Sequence, residues 1–308
     1  MDRADKLLHG AIDMHAHGYP QFTLNMPGRQ NNLQWTQAAK AAGMAGFVMK
    51  SHIWPTVGEA YLLNKMVDDV TVFGSITLNY TVGGINPMAV QIAAESGAKV
   101  VFMPTWNAKN DMDKGAKYVD RMRPYITTID SAMADKTGIS IIDDSGELIA
   151  EIHQVIEVCK QYGLAIGSGH VSIEESMKLC KAASAAGVGF ILTHPLNTPL
   201  INASFDQMKE IAQMGGYIEN VFIACMPMHE GLKPKRIAEV IEHVGAQQCL
   251  MSSDAIEAWN PPPPEILRMF IATMLALGIS EDDIYTMTHT NPAKLLKLEE
   301  SVTEKSDL

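Results

Sequence analysis

The sequence predicts an α/β protein of the (β/α)8 TIM barrel class, and three observations carry that prediction. Short apolar runs alternate with amphipathic stretches along nearly the whole chain, there are eight such runs, and histidine or aspartate stands at the C-terminal end of several of them. A doubly wound open sheet is the competing architecture. It usually has fewer strands, and the residues at the strand ends favour the barrel.

The predicted strands are 11–15, 46–51, 71–78, 99–104, 164–168, 188–193, 216–222 and 248–253. Amphipathic stretches follow them, for example at 34–42, 88–96, 173–186, 205–214 and 234–244. Gly43, Gly97, Gly163 and Gly187 read as the glycines that end helices and lead into the next strand. One interval between strands is much longer than the rest and marks an insertion after strand four, about 107–147. It holds a charged helix-like piece at 113–122 and a hairpin at 139–148 around Asp143-Asp144-Ser145-Gly146. A loop of this kind sits either at the C-terminal face, where substrates bind, or packed on the outside. Four prolines, Pro261 to Pro264, stiffen the loop after strand eight and open its helix. The expectation is one barrel domain over 1–308 with a C-terminal helical tail at 281–308, its last residues 299–308 frayed.

Composition narrows the class of function. The 308 residues are 47% hydrophobic and 19% charged, a globular balance, with a net charge of -11. No basic stripe is visible, which argues against a nucleic-acid partner. No apolar run approaches the roughly 20 residues of a membrane span. The charged N-terminal segment lacks a secretory apolar core. Cys159, Cys180, Cys225 and Cys249 have no Cys-x-x-Cys spacing and read as buried, reduced thiols in a cytoplasmic protein. A small-molecule substrate is the expected partner, and a homo-oligomer the expected assembly.

The chemistry is carried by the strand ends. Asp13-Met14-His15-Ala16-His17 closes strand one, and strict alternation puts Asp13, His15 and His17 on one face, where two imidazoles can chelate one ion. His170 follows strand five, His194 strand six, and Asp254 closes strand eight. Any one of these alone is better read as a satisfied core or loop residue. Together they bring four histidines and an aspartate to one rim.

With this order the sequence resembles the metal-dependent hydrolases of the amidohydrolase superfamily, in an uncharacterised branch. The resemblance spans nearly the whole chain and extends to Thr290-Asn291-Pro292-Ala293-Lys294-Leu295-Leu296, similar to the helix that often follows the barrel there. It implies one or two divalent ions, zinc first, with manganese, iron or nickel as alternatives, held by His15, His17, His170, His194 and Asp254. It implies hydrolysis of an amide-like C–N bond, including that of a cyclic amide, by a metal-held hydroxide, with Asp254 as proton acceptor and donor. A lactonase or esterase and a decarboxylase of a small unsaturated acid are the alternatives on this scaffold. A non-catalytic barrel is disfavoured because all five ligand positions are retained.

The sequence departs from the superfamily at strand four, whose end has no lysine to bridge two metals. Strand two instead ends in Lys50-Ser51-His52. Lys50 is read as a carboxylated bridge, with a substrate-binding cation as the second reading and a structural lysine last. His52 is a candidate for substrate contact, acid catalysis or metal ligation, and His194 for a catalytic as well as a ligand role. Glu219 and Asn220 on strand seven are within reach, their facing undetermined. His9, His153, His229, His243 and His289 read as structural or surface residues. Rival motifs fail: Gly167-Ser168-Gly169-His170 lacks the third dinucleotide glycine, no P-loop is present, and Ile173 stands where related deaminases carry an acid.

Overall fold

The eight apolar runs are eight parallel strands in the computed structural model, hydrogen-bonded in chain order. They are β1 Ile12–His17, β2 Gly46–Lys50, β3 Thr71–Thr77, β4 Ala98–Phe102, β5 Ala165–Gly167, β6 Phe190–Leu192, β7 Tyr217–Val221 and β8 Cys249–Ser252. The structure describes residues 2–26, 28–114, 124–125, 135–197, 200–227 and 229–298. The ring closes between the ends of β8 and β1, where the Asp254 N–H donates to His15 O (2.8 Å) and the His17 N–H to Ala255 O (3.0 Å). The result is a nearly closed barrel with helices between its strands.

Local chemistry sets the helix limits. Asn31 with Gln34, Ser172 with Glu175 and Ser204 with Gln207 form reciprocal capping boxes at the starts of Asn32–Ala41, Ile173–Ala185 and Phe205–Gln213. Gly163 ends Ala150–Tyr162 at φ 68°, a left-handed conformation that a Cβ would penalise. Pro262 to Pro264 span the start of Pro263–Ala276. No helix among the described residues is long and apolar enough to cross a membrane.

Two buried layers result. One face of the strands, including Phe47, Met49, Val101, Ile166, Ile218 and Met251, packs beneath the helices. The other fills the barrel interior with Ile12, Met14, Val48, Phe73, Val100, Phe102, Ala165, Ile191, Tyr217 and Leu250. Leu295 and Leu296, from the Asn-Pro-Ala-Lys helix Asn291–Leu295 and its cap, join this interior cluster. They close it at the N-terminal end of the strands, and the Asn291 amide fastens them by donating to Ala246 O (2.9 Å) and Cys249 O (2.8 Å). The residues singled out by the sequence lie at the opposite, C-terminal end.

Of the insertion, 115–123 and 126–134 lie outside the described residues, and with them most of the charged piece expected at 113–122. The frayed end expected at 299–308 lies outside them as well. The expected hairpin is a tight loop with a single antiparallel bridge, Ile142 to Leu148. Both flanks of the insertion sit at the C-terminal face. The helix Lys109–Asp113 is tied down by the Asn110 amide, which donates to His170 O (2.9 Å) and Leu200 O (3.1 Å). Glu175 accepts from Ser140 Oγ (2.9 Å) and the Ile141 N–H (3.0 Å). All four cysteines are free, with Cys225 half-buried and the others buried.

The interior floor gives a direct test of this packing. Leu296 is fully buried, so Leu296→Ala should cost about 2–5 kcal/mol of stability by loss of transfer energy plus the cavity left behind. Urea unfolding should show a lower midpoint with an unchanged slope.

Candidate metal centre

The site begins with an irregularity in β1. Asp13 pairs with Phe47 and Ala16 with Met49, so three steps on β1 oppose two on β2. Such a bulge shifts the side-chain phase by one residue. Ile12 and Met14 face the interior before it, and His15 and His17 face the interior after it, while Ala16 packs outward. The expectation that Asp13 shares a face with the two histidines is therefore corrected. Asp13 lies at the seam, where its Oδ1 accepts the N–H groups of His15 and Ser253 (both 3.1 Å). Burial pushes its carboxyl up to about 7.

His15, His17 and Asp254 offer ligand atoms that all lie within 4.8 Å of one another. The His15 Nδ1–H donates to the buried Glu219 carboxylate (3.0 Å), which itself accepts from Ser252 Oγ (3.1 Å). The His17 Nδ1–H donates to Gln21 Oε1 (3.2 Å). With both Nδ1 positions protonated, each Nε2 keeps its lone pair. Both Nε2 atoms lie 3.1 Å from Asp254 Oδ1. Three acceptors thus converge with no proton of their own between them, an arrangement that a cation satisfies and that the Lys50 amine meets at His15.

Electrostatics agree. Burial lowers His17 to about 4 against the opposing pull of Asp254, so the imidazole is neutral, as a ligand must be. Burial alone would raise Asp254, but the facing histidines hold its carboxyl well below the usual range. His194 and His52 are likewise pushed well below the ordinary histidine value, first by burial and then by neighbouring charge. Lys50 is the last residue of β2 and is 1% exposed. Its Nζ lies 2.9 Å from His15 Nε2, and burial lowers its amine to about 8 against the pull of Asp254 and Glu219.

His170 and His194 complete the rim, their rings 5.0 Å apart and that of His194 5.9 Å from His15. They fall outside the tight group of three. Gly169, at φ 60°, brings His170 to β4: a Cβ there would sit 2.4 Å from Met103 O, and the His170 N–H donates to Pro104 O (2.9 Å). This close approach is what the glycines around Ser168 serve. The His170 Nδ1–H donates to Asp111 Oδ2 (2.5 Å). His194 and Asp254 adopt positive φ (28° and 51°), strained for residues with a Cβ.

His52 stands on the opposite wall. The Thr105 N–H donates to Asn79 Oδ1 (2.9 Å), which orients the Asn79 amide so that Nδ2 donates to Thr105 Oγ1 (2.7 Å). The Thr105 hydroxyl proton is then directed to His52 Nδ1 (2.8 Å), leaving Nε2 of the neutral ring protonated. His52 is stacked between His17 and Phe22, with centroids at 4.6 and 5.4 Å.

His17, Lys50, His52, Asp111, His170, His194 and Asp254 line one cleft of about 630 Å³, walled further by Phe22, Trp106, Leu200 and Ile256. Glu219 faces the site through His15, whereas the Asn220 amide turns to Leu250 O. His229 is not a bystander: it lines the same cleft, its Nε2 2.9 Å from Glu257 Oε2. Sequence reasoning missed Asp111, Thr105, Asn79, Gln21 and the His229–Glu257 pair, none of which forms a local motif.

A family model described as a family of unknown function, DUF6282, matches residues 10–219. No curated protein matches the chain. Among solved structures, an amidohydrolase from Pseudomonas aeruginosa superposes with a TM-score of 0.66 at 13% identity, covering 96% of this chain and 98% of its own. The probable dipeptidase PvdM of the same organism reaches 0.59 at 14%, covering 95% and 96%. A probable 2-pyrone-4,6-dicarboxylic acid hydrolase from Acinetobacter baumannii, with citric acid bound, reaches 0.57 at 8%, covering 94% and 99%. The fold is the barrel that these structures share.

His17→Ala removes one of the three converging acceptors, so after dialysis against zinc it should retain much less of the ion than the wild type. Elemental analysis reads this directly, and a wild-type zinc content would remove His17 from the centre.

Proposed function

We propose, for a chain that belongs to the DUF6282 family, a metal-dependent hydrolase that cleaves an amide-like C–N bond, cyclic amides included. The convergence of His15 Nε2, His17 Nε2 and Asp254 Oδ1 without an intervening proton carries this reading. These three groups would hold the first ion. Lys50, His170 and His194 would hold a second. The neutral nitrogen and carboxylate donor set suits zinc, with manganese, iron or nickel as alternatives. A bound divalent ion would act as a Lewis acid on the scissile carbonyl and lower the pKa of the attacking water.

The chain's own groups supply the rest. Asp254, held ionised, accepts the proton of the attacking water and returns it to the leaving nitrogen, a service that an amine needs more than an alcohol does. His52 presents a neutral Nε2–H to the cleft and donates a hydrogen bond to the substrate oxygen, where charge develops. Phe22 and Trp106 shield this donor from water, which strengthens it. The similar solved structures support hydrolysis generally, since they include proteins named as an amidohydrolase, a dipeptidase and a pyrone hydrolase.

Lys50 is assigned as a carboxylated bridge. An ammonium 2.9 Å from His15 Nε2 would stand against any cation bound there, at a cost that a low-dielectric interior enlarges. Carboxylation converts that repulsion into ligation.

Chelation should abolish hydrolysis of a cyclic-amide panel while far-UV circular dichroism stays unchanged, and added zinc should restore it. Turnover by metal-free protein would overturn the reading. Faster turnover of lactones, or release of CO2 from unsaturated acids, would shift the substrate class. Lys50→Ala should lower metal stoichiometry from two to one, and bicarbonate should raise wild-type activity. An unchanged metal count would remove the bridge.

A further inference from the structure

Among its described residues the segment inserted after β4 has one buried acid, and its placement is informative. Asp111 lies on the short helix Lys109–Asp113, is 1% exposed, and lines the cleft. Its Oδ2 accepts the His170 Nδ1–H at 2.5 Å, a charge-assisted contact. Its Oδ1 is buried and makes no hydrogen bond among the described residues. Among the described residues the carboxylate is therefore engaged with His170 alone. The helix itself is tied down by other groups, chiefly the Asn110 amide on His170 O and Leu200 O and the Lys109 N–H on Ile139 O (2.8 Å). Burying a carboxylate is costly, and here the cost serves one imidazole rather than the packing of the segment.

We infer that Asp111 is the positioning residue of His170, delivered to the site by the inserted segment. By accepting the Nδ1–H it fixes ring orientation and tautomer, and so turns an Nε2 lone pair to the cleft. Glu219 does the same for His15 from β7 and Gln21 for His17 from the loop after β1. The insertion is thus a working part of the centre. Its end at β4, where superfamily relatives by resemblance would carry a bridging lysine, instead supplies Thr105 for His52 and Asp111 for His170.

The tautomer assignment stands by itself, while its consequence for metal binding rests on the proposed metal-dependent function, so the test reads the two separately. In metal-free protein, nitrogen-15 NMR of the imidazoles should show His170 protonated at Nδ1 in the wild type and shifted toward the Nε2–H form in Asp111→Ala. Calorimetric titration of zinc into the same samples should show about 10–100-fold weaker binding at the affected ion in Asp111→Ala. Asp111→Asn, whose Oδ1 still accepts, should keep the tautomer, lose less affinity and remain informative if the alanine variant fails to fold. Asn110→Ala, which loosens the helix but leaves the carboxylate, should keep the tautomer. A wild-type tautomer in Asp111→Ala would overturn the inference. Absence of zinc binding by the wild type, with the tautomer shift present, would instead count against the metal-dependent function.

Discussion

Everything at the active face depends on the phase step in β1. Under strict alternation Ile12, Met14 and Ala16 would fill the interior, and both histidines would be buried under the helices, away from Asp254. One extra residue against β2 lets the lower half of the strand serve the apolar core and the upper half serve the centre. The step also places Asp13 at the seam, where its carboxylate ties the ends of β1 and β8 through two backbone N–H groups. A buried acid pushed up to about 7 is an expensive fastener. Its position explains the expense, because the seam is where Asp254 is hung opposite His15 and His17.

The centre is built by commitments made far from it. Each of three histidines has its outer nitrogen occupied by a group from another part of the chain, so its inner nitrogen has one possible role. His15 is governed from β7, His17 from the loop that follows it, and His170 from the insertion. His15 and His17 ride on β1 and His170 on the turn after β5, while their partners come from a strand, a loop and a short helix. Two of the residues at strained φ, His194 and Asp254, stand just beyond the ends of β6 and β8, and the barrel around them holds the strain.

How much of this the sequence disclosed follows from what each signal depends on. Strand limits agree with expectation within one or two residues, because apolar runs punctuated by helix-ending glycines are local. The rim positions His15, His17, His170, His194 and Asp254 were legible for the same reason, each marking a strand end. Asp13 was misplaced because a bulge leaves no trace in a five-residue pattern. Asp111 was hidden in Lys109-Asn110-Asp111-Met112-Asp113, which reads as a solvated helix face. Its partner is 59 residues away, and Glu219 is 204 residues from His15. His229 sat in a loop with no spacing to advertise it, and only the folded cleft sets it beside Glu257.

The leucine floor has a consequence for how such a chain comes into being. Leu295 and Leu296 are made after all eight strands, yet they complete the cluster those strands share. Until that stretch leaves the ribosome, the nascent barrel has an uncovered apolar mouth and strand ends without their Asn291 clamp. Long-range contacts of this kind reward the chain only late, so a polypeptide that has all eight strands but lacks this stretch is aggregation-exposed. Truncation before Leu295 would yield a sticky intermediate rather than a slightly shorter barrel.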